Sequence, residues 1–210
     1  MNETKAELKF DPYNLIITGV GGQGNVTASR ILGKMLSKKG YFVTIGETFG
    51  ASQRGGSVMS HLRISAEETY SPIILRGQGH MVVAMEPTEA IRVLADYGNM
   101  EIKVICNTRP IHPMAVVAGE QTYPSPEDIE ERVNDISGQS WFINATDEAM
   151  ADMKNPVYGN IMLLGAVAAT GELPIEKDDF EAVISATMPA DKVSLNLKAY
   201  DRGLKMLDRG

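Results

Sequence analysis

Cysteine is nearly absent from this sequence: Cys106 stands alone among 210 residues. That excludes an internal disulfide, and one thiol cannot by itself hold zinc or an iron–sulfur cluster, which needs several thiolates. Any redox centre would have to belong to another chain. Cys106 lies in the apolar run Ile102–Cys106 and reads as a small core residue. Long apolar runs are also missing. No stretch reaches the roughly 18 residues of a membrane span, and Met1–Glu7 lacks a signal-peptide core, so the expectation is a cytoplasmic chain without membrane contact. Excess positive charge is absent as well. A net charge of −7 argues against nucleic acid, whose phosphates call for a clustered basic surface. Histidine is scarce, and His112, between Pro110 and Pro113, has neither a carboxylate nor a second histidine near it in sequence; no catalytic or metal-binding residue is assigned.

What is present is an ordinary globular composition, 43% hydrophobic and 22% charged, which excludes disordered and collagen-like classes. The length suits one domain spanning residues 1–210. The chain is organised around Asn14–Arg30, an apolar strand that runs into four glycines and then into a helix-forming segment. Gly19, Gly21 and Gly24 satisfy G-x-G-x-x-G, with Gly22 and Gln23 between them. Glycine serves such a loop where a tight turn needs positive φ or where a ligand's oxygens approach the backbone, and the N–H groups of the helix start would face an anion. Taken alone, the pattern fits either a small anionic ligand or close packing against a neighbour.

Residues 1–13 read as a loose lead-in ending at Asp11-Pro12. A strand over 14–19, a helix over 25–38 and a strand over 41–47 follow, the helix closing on Lys38-Lys39-Gly40, where cations suit the dipole and glycine suits a left-handed cap. Next comes the polar, glycine-rich loop Glu47–Ser57, in which Gln53, Arg54, Gly55, Gly56 and Ser57 can gather a guanidinium and several backbone donors. The strand at 57–64 alternates, with Val58, Leu62 and Ile64 on one face and Met59, His61 and Arg63 on the other. Further strands are expected near 80–85, 102–107 and 141–144. Helices are expected from Pro87 to Tyr97, from Ser125 to about Val133, from Thr146, over 160–169, and over 176–187 and 190–207. The helix at 160–169 is apolar almost all round, which fits burial either in the core or in a subunit contact.

Strands alternating with helices imply an α/β three-layer sandwich with a largely parallel or mixed sheet and a Rossmann-like first βαβ unit. The loops after the first two strands would then border one crevice at the carboxyl end of the sheet.

Gly19–Gly24, Ser52–Val58 and Asn160–Gly165, in this order and spacing, resemble the gamma-type subunit of 2-oxoacid:ferredoxin oxidoreductases. Asn107–Pro113 and Thr122–Pro124 are most similar to the beta subunit of indolepyruvate:ferredoxin oxidoreductase. The resemblance implies the non-cluster subunit of a thiamine-diphosphate-dependent enzyme, inactive alone, that turns an aryl 2-oxoacid into acyl-CoA and CO2 and reduces ferredoxin through the complex. Thiamine diphosphate and the iron–sulfur clusters would belong to a large partner subunit, with no cofactor bound by this chain alone. Gly19, Gly21–Gly24 and Gln53–Ser57 would hold an anionic group, either a coenzyme A phosphate entering the complex at a shared site or a carboxylate of the large partner. Pyruvate, 2-oxoisovalerate or 2-oxoglutarate are the alternative substrates.

Two readings of other kinds stand beside this one. In a free-standing NAD-binding oxidoreductase, Gly19, Gly21 and Gly24 would hold the pyrophosphate, and Glu47, at about the usual interval of 20 residues, would hold the ribose. That scheme leaves Gln23 and Gln53–Gly56 without a role. In a purely structural subunit, the glycine loops would serve only assembly.

Overall fold

The structure, a computed structural model, describes residues 6–50 and 56–207. Six strands form one sheet: β1 (Tyr13–Val20), β2 (Phe42–Phe49), β3 (Ser57–Ser65), β4 (Met81–Ala84), β5 (Lys103–Asn107) and β6 (Gln139–Ile143). Their order is β2-β3-β1-β4-β5-β6. Only β3 runs against the others: it is antiparallel to both β1 and β2, whereas β1, β4, β5 and β6 pair in parallel. The sheet is therefore mixed. The first βαβ unit is present, with β3 inserted between its two parallel strands.

Eight helices accompany the sheet among the described residues: α1 (Asn25–Lys38), α2 (Pro87–Tyr97), α3 (Met114–Val117), α4 (Pro126–Asp135), α5 (Ala145–Met153), α6 (Gly159–Ala169), α7 (Lys177–Thr187) and α8 (Ala190–Gly203). The short α3 and a 3-10 turn at Pro156–Tyr158 lie where only loop is expected from the sequence. The other helix starts follow local chemistry. Glu86 caps α2 and Pro87 opens it, while Ser125 and Asp128 form a reciprocal capping box on α4. Helix α1 ends as its sequence suggests, with Gly40 at φ +88° and its N–H on the Ser37 carbonyl.

The sheet separates two hydrophobic clusters. Leu15, Ile17, Leu62, Ile64 and Val83 face the helices α1, α6, α7 and α8, and Ile16, Met59, Val82 and Val104 face α2 and α4. The period-2 pattern of β3 thus sends its side chains to two cores, and both of its faces are covered. Helix α6 belongs to the first core: Ile161 through Val167 are all buried inside the chain itself. Of the two fates open to this helix from sequence, own-core burial is the one found.

The lead-in is not loose where it is described. Leu8 is buried, the Tyr41 hydroxyl donates to the Ala6 carbonyl at 2.6 Å, and Phe10 stacks on His80 at 4.2 Å between ring centroids. These partners come from distant positions, which local polarity does not reveal.

On the α2 side of β3, His61 is buried, edge-on to Tyr97 at 5.1 Å, and among the described residues neither ring nitrogen has a hydrogen-bond partner. Burial lowers its pKa below the usual 6.5. His80 is lowered for the same reason and accepts the Asn14 N–H through Nδ1. A histidine held neutral contributes stability that is complete above its unfolded pKa and is lost as pH falls through the lower folded value. The chain is therefore expected to weaken on acidification below about pH 6.5. Urea midpoints at pH 8 and pH 5 should differ less in His61→Phe than in the native chain; an equal difference would remove His61 from the explanation.

Candidate functional site

At the carboxyl end of the sheet, chain connections leave β1 and β4 in opposite directions: α1 leads toward β2 and α2 toward β5. Such a switch point opens a crevice, and here it extends into a cavity of about 650 Å³. Gly21, Gly22 and Gln23 form one wall, and Asn107, Arg109 and Asn160 stand on others.

Gln23 organises the loop. Its Oε1 accepts the Val20 N–H at 2.7 Å and its Nε2 donates to the Met85 carbonyl at 2.8 Å, so the side chain joins the ends of β1 and β4. Gly19 lies under it: a Cβ there would sit 2.6 Å from Gln23 Oε1 and 2.9 Å from Met85 Cβ. Gly24 has φ +88° and is pressed by α6, with Asn160 Nδ2 only 2.1 Å from where its Cβ would be. Gly19 and Gly24 are thus glycines of packing. Gly22 differs, because at φ +103° it has nothing among the described residues within 4 Å of where its Cβ would be.

The three sequence motifs meet here. The Gly21 N–H donates to the Gly56 carbonyl at 2.8 Å, which ties the second loop to the first. Asn160 Nδ2 donates to the Gln23 carbonyl at 3.4 Å, which ties in the third. Gln53, Arg54 and Gly55 lie outside the described residues. Ser57, expected at the crevice, turns its hydroxyl to Glu89 Oε2 at 2.6 Å, where Thr18 and Arg92 also bond. Its visible role is to anchor the end of the second loop to α2.

Several wall residues were not assigned from sequence. Asn107 donates to the Met85 carbonyl at 3.0 Å and accepts the Ala145 N–H at 3.0 Å, so it joins β4 to the start of α5. Arg109 forms an ion pair with Asp147 at 2.5 Å. Asn160 is buried, and its Oδ1 has no hydrogen-bond partner among the described residues. The available signal was position: Asn107 ends a parallel strand and Arg109 lies just beyond it, where open α/β sheets place their ligands. Behind them, buried Glu86 accepts the Ile111 N–H at 3.3 Å and the Tyr123 hydroxyl, fastening the 107–124 segment to α2.

The electrostatics suit an anion at the loop. Helix α1 has no acid in its first turn and no side-chain cap, so its leading N–H groups keep their positive field. The NAD arrangement is not reproduced. Strand β3 separates β2 from β1, leaving Glu47 about two strand spacings, roughly 10 Å, from the loop, and Glu47 pairs with Arg30 at 3.5 Å. Gln23 also occupies the crevice between β1 and β4 that a pyrophosphate would enter.

The geometry defines an α/β domain with interlocked glycine loops at the switch point of a mixed sheet. The chain belongs to the pyruvate ferredoxin/flavodoxin oxidoreductase family, whose model matches residues 14–206. It is 35% identical over 193 residues to the indolepyruvate oxidoreductase subunit IorB of Pyrococcus horikoshii, covering 92% of this chain and 95% of that one. Among solved structures, the pyruvate oxidoreductase subunit PORC of Thermotoga maritima shares the fold with a TM-score of 0.68 at 21% identity, covering 94% of this chain and 97% of that one. The 2-oxoglutarate:ferredoxin oxidoreductase of Magnetococcus marinus, solved with 2-oxoglutarate, coenzyme A and succinyl-CoA, gives 0.71 at 18% identity. That match covers 93% of this chain and 31% of the other.

Among the described residues, the donors present do not fit an iron–sulfur cluster or thiamine diphosphate. Cys106 is fully buried, and burial raises its pKa above the ordinary thiol range, the opposite of a cluster-ligating thiolate. Among the described residues the cavity wall carries one carboxylate, Asp147, already paired with Arg109. This is a poor set for the magnesium of a thiamine diphosphate, which is held through oxygen ligands. Among the described residues, no helix is long and apolar enough to cross a membrane.

Proposed function

We propose that this chain is the non-cluster subunit of a 2-oxoacid:ferredoxin oxidoreductase that acts on indolepyruvate or a related aryl pyruvate and forms acyl-CoA, CO2 and reduced ferredoxin. A large partner subunit supplies thiamine diphosphate and iron–sulfur clusters, which carry the decarboxylation and the electron transfer, and passes the electrons to ferredoxin in the cytoplasm. This chain supplies the glycine-loop crevice. The observation that carries the reading is the convergence of three separated motifs, through Gly21 to Gly56 and Gln23 to Asn160, on one cavity in a chain similar to IorB over nearly its whole length.

At the loop, backbone N–H groups near Gly22 and Gly24 and the start of α1 hold an anionic group, and Gln53–Ser57 contribute to binding it. Arg54 supplies a guanidinium fork to the same anion. That anion is either a coenzyme A phosphate or a carboxylate of the partner. Purified alone, the chain is expected to be inactive and free of stoichiometric iron. Co-expressed with its large partner, it should restore coenzyme A-dependent reduction of ferredoxin by indolepyruvate. Turnover by the single chain, or a reconstituted complex that rejects every aryl 2-oxoacid, would overturn the proposal.

A further inference from the structure

Among the described residues, strand β6 ends the sheet and pairs only with β5. Its hydrogen bonding has a defined parity. Gln139 N–H donates to the Ile102 carbonyl, and the Ile143 carbonyl accepts the Thr108 N–H at 3.0 Å, so the odd-numbered residues of β6 bond inward to β5. In a parallel ladder the alternate residues then turn their backbone groups outward, which leaves the N–H and C=O of Ser140 and Phe142 on the free edge. An unpaired row of this kind is a template for another strand.

A groove of about 510 Å³ runs along this edge, lined by Ser140–Asn144, by Glu130 of α4, by Glu148 of α5 and by Met206 and Leu207. Trp141 and Phe142 are half-buried and leave apolar surface in it. Among the described residues no lysine or arginine lines it, and Arg202 is engaged by Glu148. Helix α4 adds Glu127, Asp128 and Glu131 beside Glu130, with Arg132 as its one cation. The edge is thus a strand template in an acidic surround.

We infer that the free edge of β6 is a strand-addition site for an extended lysine- or arginine-rich segment of the partner subunit. Outward backbone groups of Ser140 and Phe142 supply the pairing, the groove takes alternate apolar side chains, and Glu130 and Glu131 select for positive charge. A second copy of this chain is the wrong occupant, because pairing two β6 edges would bring two acidic surrounds together. The inference rests on the proposed function only in requiring that a larger subunit binds.

The test uses the assembled complex. Hydrogen exchange across residues 139–143 should slow at least tenfold when the partner binds. Ser140→Pro removes one outward N–H and leaves the ladder to β5 intact. It should weaken assembly about tenfold with little change in the melting temperature of the free chain. Glu130→Lys together with Glu131→Lys, on an exposed helix face, should weaken assembly comparably and reduce its salt dependence, independently of how Ser140→Pro folds. A complex that forms without added protection at 139–143 and tolerates both variants overturns the strand-addition site while leaving the proposed function intact. Protection of 139–143 by self-association of the free chain also overturns it. Failure of any large subunit to bind counts against the proposed function instead.

Discussion

Gly203→Ala is expected to destabilise the chain by about 3 kcal/mol, the upper end of the usual overpacking cost, and to lower the melting temperature by roughly 6–12 °C for a chain of this size. A Cβ at Gly203 would lie 1.9 Å from the Met162 carbonyl oxygen. Backbone cannot rotate away as a side-chain tip can, so α6 and α8 would have to separate. The contact is tight from both sides, since a Cβ on Gly165 would lie 2.3 Å from the Tyr200 carbonyl oxygen. Separation would loosen a core that holds Met162, Leu164 and the stacked pair Phe180 and Tyr200. Gly165→Ala should cost a similar amount, and the double variant less than the sum, because one displacement relieves both clashes. Urea unfolding of the three variants checks this. A Gly203→Ala midpoint equal to that of the native chain would show that these helices do not cross so closely.

Gly22→Ala is expected to leave the fold standing and impair the complex. Its φ of +103° makes any side chain costly, about 1–2 kcal/mol. Among the described residues nothing lies within 4 Å of the new Cβ, and Gly22 lines the cavity. An anion or partner backbone seated on the loop would meet it directly. Excluding it at a cost of about 2 kcal/mol corresponds to roughly a thirtyfold loss, since 1.4 kcal/mol is tenfold. If the occupant is coenzyme A, that loss appears in its Michaelis constant; if it is a partner carboxylate, it appears in subunit association. Gly24→Ala provides the contrast, because there the clash is with Asn160 inside the chain and the free subunit itself should lose stability. A Gly22→Ala complex with native coenzyme A dependence and assembly would mean that nothing approaches the loop.

Much of the candidate site was legible because glycine restricts what a loop can be. The spacing of Gly19, Gly21 and Gly24 indicated close approach, yet not what approaches. For Gly19 it is the side chain of Gln23, and for Gly24 it is Asn160, more than a hundred residues away. Asn107 and Arg109 sat unassigned beside prolines because nothing local distinguishes a cavity wall from an ordinary connection. His112, given no catalytic or metal role from sequence, lines a separate apolar pocket with Tyr123 and Phe142.

Wherever the causes are short-range, the sequence by itself determined the outcome. The bounds of α1 and α2 are those read from their glycine, proline and charged ends, because caps and backbone restrictions act within one turn. The alternation of β3 and the apolar character of α6 were equally visible. Tertiary structure decided which surfaces those patterns meet. It inserted β3 antiparallel between β1 and β2, buried α6 in the chain's own core, and pinned residues 6–12 against Tyr41 and His80. It also brought Gly56 and Asn160 onto the first glycine loop. The physical reason is that strand order and helix docking follow from burying apolar area between distant segments, a driving force proportional to surface and blind to sequence separation.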